Sequence, residues 1–489
     1  MARRFTTSFL AIAAATSVTL AAVTPHRADA QARGMSESDR RLGAQEHPKI
    51  LAEFGGAYNG PGVAMVNRVG KSVAVQSGIA STGSECTVTL LNTTIVNAFA
   101  IPGCYTYVTR GLLSIMNDEA ELASVIGHEI GHVAARHAQK RQQRSTIAGI
   151  GSVLAGIFLG GQAAQLANVF GQANVLSFSR SQEYQSDDLG IRYMTAAGYD
   201  PYASADMLES LGDQSTLEAR MRGQSEADQI PAWQRSHPLT SDRVARATAT
   251  ARKTGLQPGQ KARNAAQYFQ AVDGMLYGDD PSQGYVEDSV FAHPQLRIRF
   301  QAPNGFYLNN ATHAVTMEGP NGLRAQFSGG RLSGSLDNYV TQVAQALVGQ
   351  SQGVQAGSIQ RTTINGMNVS ILPLRAQTSG GVVDVQIAGY QWDANTAYHF
   401  VTIAPAGRSG TFSSLLQSLR RLSDSEAAAL RPRVIQVVTV KAGDTLQSLA
   451  NRMAFSNYKL ERFLVINDRE ANQPLRPGEQ VKIVVYGRA

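Results

Sequence analysis

The run His128-Glu129-Ile130-Gly131-His132 constrains this chain more than any other feature. Two imidazoles four residues apart share a face only on a helix, where about 3.6 residues per turn bring positions i and i+4 together. Asp118 with Glu121 forms a capping-box pattern, and Arg136, Lys140, Arg141 and Arg144 complement the dipole at the other end, so the pattern predicts one long helix over 118–144. On that helix His128 and His132 can bind one divalent ion, and Glu129 can take a proton from a water the ion polarises. Two surface histidines would give the same pattern, and a catalytic centre needs a third protein ligand and an open position. Glu183 is the candidate, at the start of a second expected helix in Ser179-Arg180-Ser181-Gln182-Glu183. Asp187 follows at i+4, suited to accept the free N–H of a metal-bound imidazole and fix its tautomer. Asp188 reads as a solvated neighbour. His137, five residues beyond His132, falls on another face of the long helix and is not assigned as a ligand.

At 489 residues the chain calls for several domains. Residues 1–30 read as an export signal: Arg3 and Arg4 start it, an apolar stretch follows over 9–23, and Ala28 and Ala30 supply small residues for cleavage. A membrane anchor is the alternative, for which the stretch is short. Export implies a periplasmic or peripherally envelope-associated protein. Cys86 and Cys104 are the only two cysteines, and an oxidising compartment invites a disulfide between them. If the strand-like segments 87–91 and 105–108 pair antiparallel, the bridge staples a hairpin; two buried free thiols are the alternative. The formal charge of +7 is spread without a basic run, which argues against a nucleic-acid partner.

The organisation predicts a multidomain α+β protein. A mainly helical domain over 31–255 carries a small β section over about 63–108, and a helical connector spans 256–284. A β-rich α+β domain follows over 285–425, with strands at 296–300, 314–317, 382–387 and 398–403, helices at 336–348 and 412–422, and Asn-Gly turns at Asn304, Asn321 and Asn365. It holds no defensible cluster of catalytic groups. Residues 145–179 lack charge and carry Gly156 and Gly160 at close-packing spacing, which suits either membrane contact or burial against the catalytic helix.

Taken in order, Asn97-Ala98-Phe99-Ala100-Ile101-Pro102-Gly103, Tyr107-Val108-Thr109-Arg110-Gly111-Leu112-Leu113, the two-histidine helix and the Glu183–Asp187 segment resemble the HtpX/BepA-type gluzincins. These are zinc endopeptidases related to the membrane CAAX-prenyl proteases, and the resemblance covers roughly residues 36–252. It implies one Zn2+ per chain on His128, His132 and Glu183, with Glu129 as general base and general acid and Asp187 behind a ligand. It also implies that Asn97, Ala98 and Phe99 lie along an edge strand holding substrate as an added β-strand. Relatives commonly carry Gly where Cys104 stands, which supports its pairing with Cys86, and Glu-Ala where this chain has Gln185-Ser186. His237-Pro238, followed by Arg243, is also family-like: His237 is either a fourth ligand closing the open position or a donor to the oxyanion formed during attack, with a surface turn as the alternative.

Residues 434–487 resemble a LysM module, a βααβ unit associated with N-acetylglucosamine-containing glycans. The carriers are 437–440, Gly443-Asp444-Thr445-Leu446, Ile466-Asn467 and Leu475-Arg476-Pro477-Gly478. The resemblance implies contact with peptidoglycan; with no evident aromatic platform, a structural unit is the alternative. The expected function is hydrolysis of unfolded or misassembled envelope proteins, a substrate class implied by the family. The rival is a peptidoglycan-binding scaffold with an inactive peptidase domain.

Overall fold

The computed structural model describes residues 35–138, 178–223, 233, 237–238, 241–348, 354–378 and 381–487. The expected export signal, Lys140, Arg141, Arg144 and nearly all of the uncharged stretch over 145–179 lie outside the described residues. Among the described residues no helix is long and apolar enough to cross a membrane.

The N-terminal half is built from α1 (Glu37–Glu53), α2 (Val63–Gln76), the strands β1 (Thr87–Leu91), β2 (Ala98–Ile101) and β3 (Tyr105–Thr109), then α3 (Arg110–Ile115), α4 (Glu119–Ala134), α5 (Arg180–Ala196), α6 (Ala203–Met221) and α7 (Ser241–Lys253). The β section expected from residue 63 begins only at Thr87, because 63–76 is α2. Its valines favour strands in isolation, but Met65, Val66, Val69, Gly70, Val73 and Ala74 form one buried helical stripe, and that burial decides the conformation.

A second correction concerns the site helix. α4 ends at Ala134, not Arg144, because Arg136 adopts a left-handed conformation (φ 56°) and its N–H returns to the Val133 carbonyl at 3.0 Å. At its start Asp118 accepts the Glu121 N–H at 2.9 Å, while the Glu121 carboxylate takes the Asn117 N–H at 2.7 Å.

The two cysteine-flanked strands pair in parallel, not antiparallel. The sheet order is β1-β3-β2, with Thr87 opposite Tyr105. The chain doubles back after β1, runs antiparallel to β3 as β2, and turns through Gly103 (φ 91°) and Cys104 (φ 59°). β3 therefore points the same way as β1, and the residues preceding the two strands lie side by side. Cys86 and Cys104 are bonded there, with Cα atoms 4.8 Å apart.

α4 and α5 approach backbone to backbone. A Cβ on Gly127 would lie 2.9 Å from the Gly190 carbonyl oxygen, and one on Gly190 would lie 2.7 Å from the His128 nitrogen. These glycines let the start of α5 reach the histidine face of α4.

Beyond α8 (Ala265–Val272) and β4 (Leu276–Tyr277) lies an α+β region with an eight-stranded sheet, a four-stranded sheet and α9 (Leu336–Val348). Phe291, Phe300, Phe327 and Phe400 form its aromatic centre. Of the helix expected over 412–422, only Ser413–Ser418 is α-helical; Arg420 and Arg421 instead pair with Arg299 and Ile298.

The last unit runs β5 (Arg433–Thr439), α10 (Leu446–Asn451), α11 (Lys459–Ile466), β6 (Gln480–Tyr486), with β5 and β6 antiparallel. Thr445 caps α10, accepting the Ser448 N–H at 3.0 Å. The unit is fused to the helical core. β5 pairs with β4, Ile435 belongs to the same buried cluster as Tyr268 and Met275, and fully buried Lys482 donates to the carbonyls of Ser114 and Met116.

Candidate metal centre

α4 presents His128 and His132 with their Nε2 atoms 3.0 Å apart. Glu183, in the first turn of α5, places Oε2 3.5 Å from His128 Nε2 and Oε1 3.4 Å from His132 Nε2. His237 brings Nδ1 to 3.1 Å from Glu183 Oε1 and 3.3 Å from His128 Nε2. One ligand atom from each of the four lies within 4.8 Å of the others. Ligands ~2.0–2.1 Å from a tetrahedral ion stand ~3.4 Å apart, so the separations fit a single ion. The donor set, imidazole nitrogen and carboxylate oxygen, suits zinc. Glu183 Oε2 is buried and accepts no well-aligned hydrogen bond, although Arg243 Nη1 lies 2.9 Å away, so a lone pair stays available.

Each histidine on α4 is held from behind. His128 Nδ1 meets Asp187 Oδ1 at 2.8 Å, and Asp187 also takes Arg243 Nη2 at 2.8 Å and Nε at 3.0 Å. Burial alone would raise Asp187, but the His128 hydrogen bond and the Arg243 charge hold it at about 2. The ionised carboxylate accepts, so His128 Nδ1 carries the proton and Nε2 keeps its lone pair for the ion. Asp188 is half exposed, as its solvated reading requires.

His132 is held by a residue that the sequence reading left unassigned. Because α4 breaks at Arg136, His137 does not continue around the helix but folds back, fully buried. Its Nδ1 lies 2.9 Å from His132 Nδ1 and its Nε2 3.1 Å from Gln185 Oε1. With His132 Nε2 reserved for the ion, one proton arrangement satisfies the chain: His132 Nδ1–H donates to His137 Nδ1, and His137 Nε2–H donates to Gln185. A histidine five residues past the pair was the visible signal; nothing in Ala134-Ala135-Arg136 announced the break that makes it useful. Replacing His137 by Leu is expected to weaken Zn2+ affinity about 10–100-fold, measured by competition with a chromophoric chelator. Unchanged affinity would remove His137 from this role.

Electrostatics separate the acid groups. Burial pushes the Glu129 carboxyl up, while nearby His237 and His128 oppose it. Burial acts on Glu183 in the same direction, but His237 and the His132 hydrogen bond take it well below the ordinary range. Burial lowers His132 strongly, favouring the neutral ring that binds metal. His237 is raised, because Glu183 and Glu129 outweigh its burial. Its Nε2 lies 3.5 Å from Glu129 Oε1, so this one ring faces both Glu183 and Glu129.

Ala98 and Phe99 lie on β2, whose outer edge has no strand partner among the described residues; Asn97 just precedes it, buried, with its side-chain oxygen accepting the Ala98 N–H at 2.8 Å.

Residues 63–251 match the model of Peptidase family M48. This segment is a family M48 peptidase domain. The chain is 29% identical over 205 residues to the beta-barrel assembly-enhancing protease of Yersinia pestis, a match covering 40% of each chain. It is 32% identical over 166 residues to the protein of that name from Escherichia coli strain K12, covering 32% of each. The mitochondrial metalloendopeptidase OMA1 of Schizosaccharomyces pombe is 28% identical over 179 residues, covering 35% of this chain and 52% of that one. The chain thus spans well under half the length of the first two. The M48 domain contains every residue of the four-ligand cluster and the residues that brace it.

Proposed function

We propose that the protein is a zinc-dependent metalloendopeptidase that hydrolyses unfolded or misassembled proteins of the bacterial cell envelope. The convergence of His128, His132, Glu183 and His237 within 4.8 Å, with buried Glu129 beside them, carries this reading. A bound zinc ion would supply Lewis-acid polarisation of a carbonyl and acidification of water. His128, His132 and Glu183 would hold it, braced by Asp187, Arg243 and His137. Glu129 would accept the proton from the attacking water and return it to the leaving amine. The edge strand β2 would orient the substrate backbone as an added strand. His237 would act as a fourth ligand while the site rests, Nδ1 being the atom that faces the cluster.

The envelope location rests on the expected export signal over 1–30 and on the names of the bacterial relatives. The βααβ order and antiparallel strands over 433–486 support a LysM-like module that contacts peptidoglycan. Purified full-length protein is expected to contain one zinc per chain, cleave casein, lose cleavage on chelation and regain it with Zn2+. Protein with neither zinc nor cleavage would favour the scaffold reading instead.

A further inference from the structure

A cleft of about 840 Å3 lies where the M48 domain, the β-rich region and the last unit meet. That volume is in the ~300–1,000 Å3 range of sites that enclose a ligand. On one side it is lined by Thr94, Ile95 and Val96, which run directly into Asn97 and the edge strand. Trp233 forms more of that wall, and its carbonyl accepts the His237 N–H at 2.8 Å. Across the gap stand Tyr307, Phe455 and Tyr458. A polypeptide laid along β2 would therefore run on past residues 94–96 toward the cleft.

The charges lining it are unevenly satisfied. Glu218 and Glu318 face Arg222 at 3.8 and 3.5 Å. Asp288 accepts from the Ser456 hydroxyl and the Asn457 amide, and Asp279 from the Val286 N–H and the Asn310 amide. Arg462 differs. Its guanidinium lies 4.2 Å from the centre of the Phe455 ring, makes no hydrogen bond or ion pair with any described residue, and has its Nε shielded without an acceptor. Arg110 contributes a second orphaned donor, Nη2, within the wall. A guanidinium stacked on an aromatic face is oriented at low entropic cost and keeps its edge free for a carboxylate. The aromatic walls add contact area that tolerates varied sequences.

We propose that this cleft binds acidic segments of the polypeptide substrate, with Arg462 pairing a carboxylate as the chain runs on from the edge strand. The proposal rests on the peptidase reading, and its test is kept independent of cleavage. Full-length protein carrying Glu129→Gln is titrated into two fluorescein-labelled peptides that differ only in having Glu or Gln in one flank, and anisotropy is recorded. The acidic peptide is expected to bind about tenfold more tightly, as one charge-assisted pair supplies. That preference disappears with Arg462→Gln and is kept with Arg462→Lys. Equal binding of the two peptides, or a preference that survives Arg462→Gln, overturns the proposal. Failure of the native protein to cleave any peptide defeats the peptidase reading instead, while the anisotropy preference still reports on the cleft.

Discussion

Glu129→Gln is expected to lower kcat/KM toward casein or an unstructured peptide by a factor of about 10²–10⁴ while leaving zinc content unchanged. The substitution keeps side-chain volume in a position only 4% exposed, so packing is preserved. Glu129 is not in the four-residue ligand cluster, so the metal stays. What is lost is a group able to take a proton: an amide cannot, whereas the buried carboxyl is raised by its surroundings toward the range in which a general base works well. Glu183→Gln provides the contrast. It weakens a ligand and is expected to lower zinc content and activity together. Metal analysis beside initial rates separates the two, and cleavage surviving Glu129→Gln would sink the assignment of the base.

The second large effect concerns a region far from the chemistry. A chain ending at residue 432 is expected to be insoluble or to melt well below the full chain, and to lose activity although every proposed ligand remains. Ile435 is 1% exposed inside the core shared with the M48 domain, and its N–H and carbonyl bond Met275 and Gly274, each at 2.8 Å. Truncating one such side chain to Ala costs about 2–5 kcal/mol, a large part of the ~5–15 kcal/mol that holds a domain folded. Lys482 adds to this. Its ammonium is the donor for two carbonyls, Ser114 and Met116, just before α4, and burial lowers it to about 7. Deleting β6 strips those carbonyls of their partner beside buried Glu121 and Asp118 at the start of the site helix. Thermal melts by circular dichroism and zinc content of the shortened chain test this. An unchanged melting temperature with retained cleavage would show the last unit to be a dispensable attachment.

Much of the metal centre was legible in local sequence because its main geometry is local. His128 with His132, and Glu183 with Asp187, are i, i+4 pairs, and helical periodicity alone places each pair on one face. The middle-region strands over 315–318, 381–391 and 396–405 were visible for a similar reason: alternation and Asn-Gly turns report a period of two. The misplaced elements were those in which tertiary contacts outweigh local preference. Val63–Gln76 reads as strand by its valines and is helix because one stripe is buried. β1 and β3 run parallel because the intervening β2 takes the antiparallel place, which no feature of the cysteine-flanked segments encodes.

Residue chemistry and spacing by themselves singled out the groups expected to bind a metal and the carboxylate proposed as base, and predicted that two helices carry them. Only the tertiary structure decided how those helices meet: Gly127 against Gly190, Arg243 across Glu183 and Asp187, and His137 turned back onto His132 by a left-handed residue. The same holds for the last unit, whose lysine supports the helix carrying the histidines from the far end of the chain. Apart from His132 with His137, five residues apart, those contacts join residues tens to hundreds of positions apart, and their energy comes from desolvation and close packing, which exist only once the chain has folded.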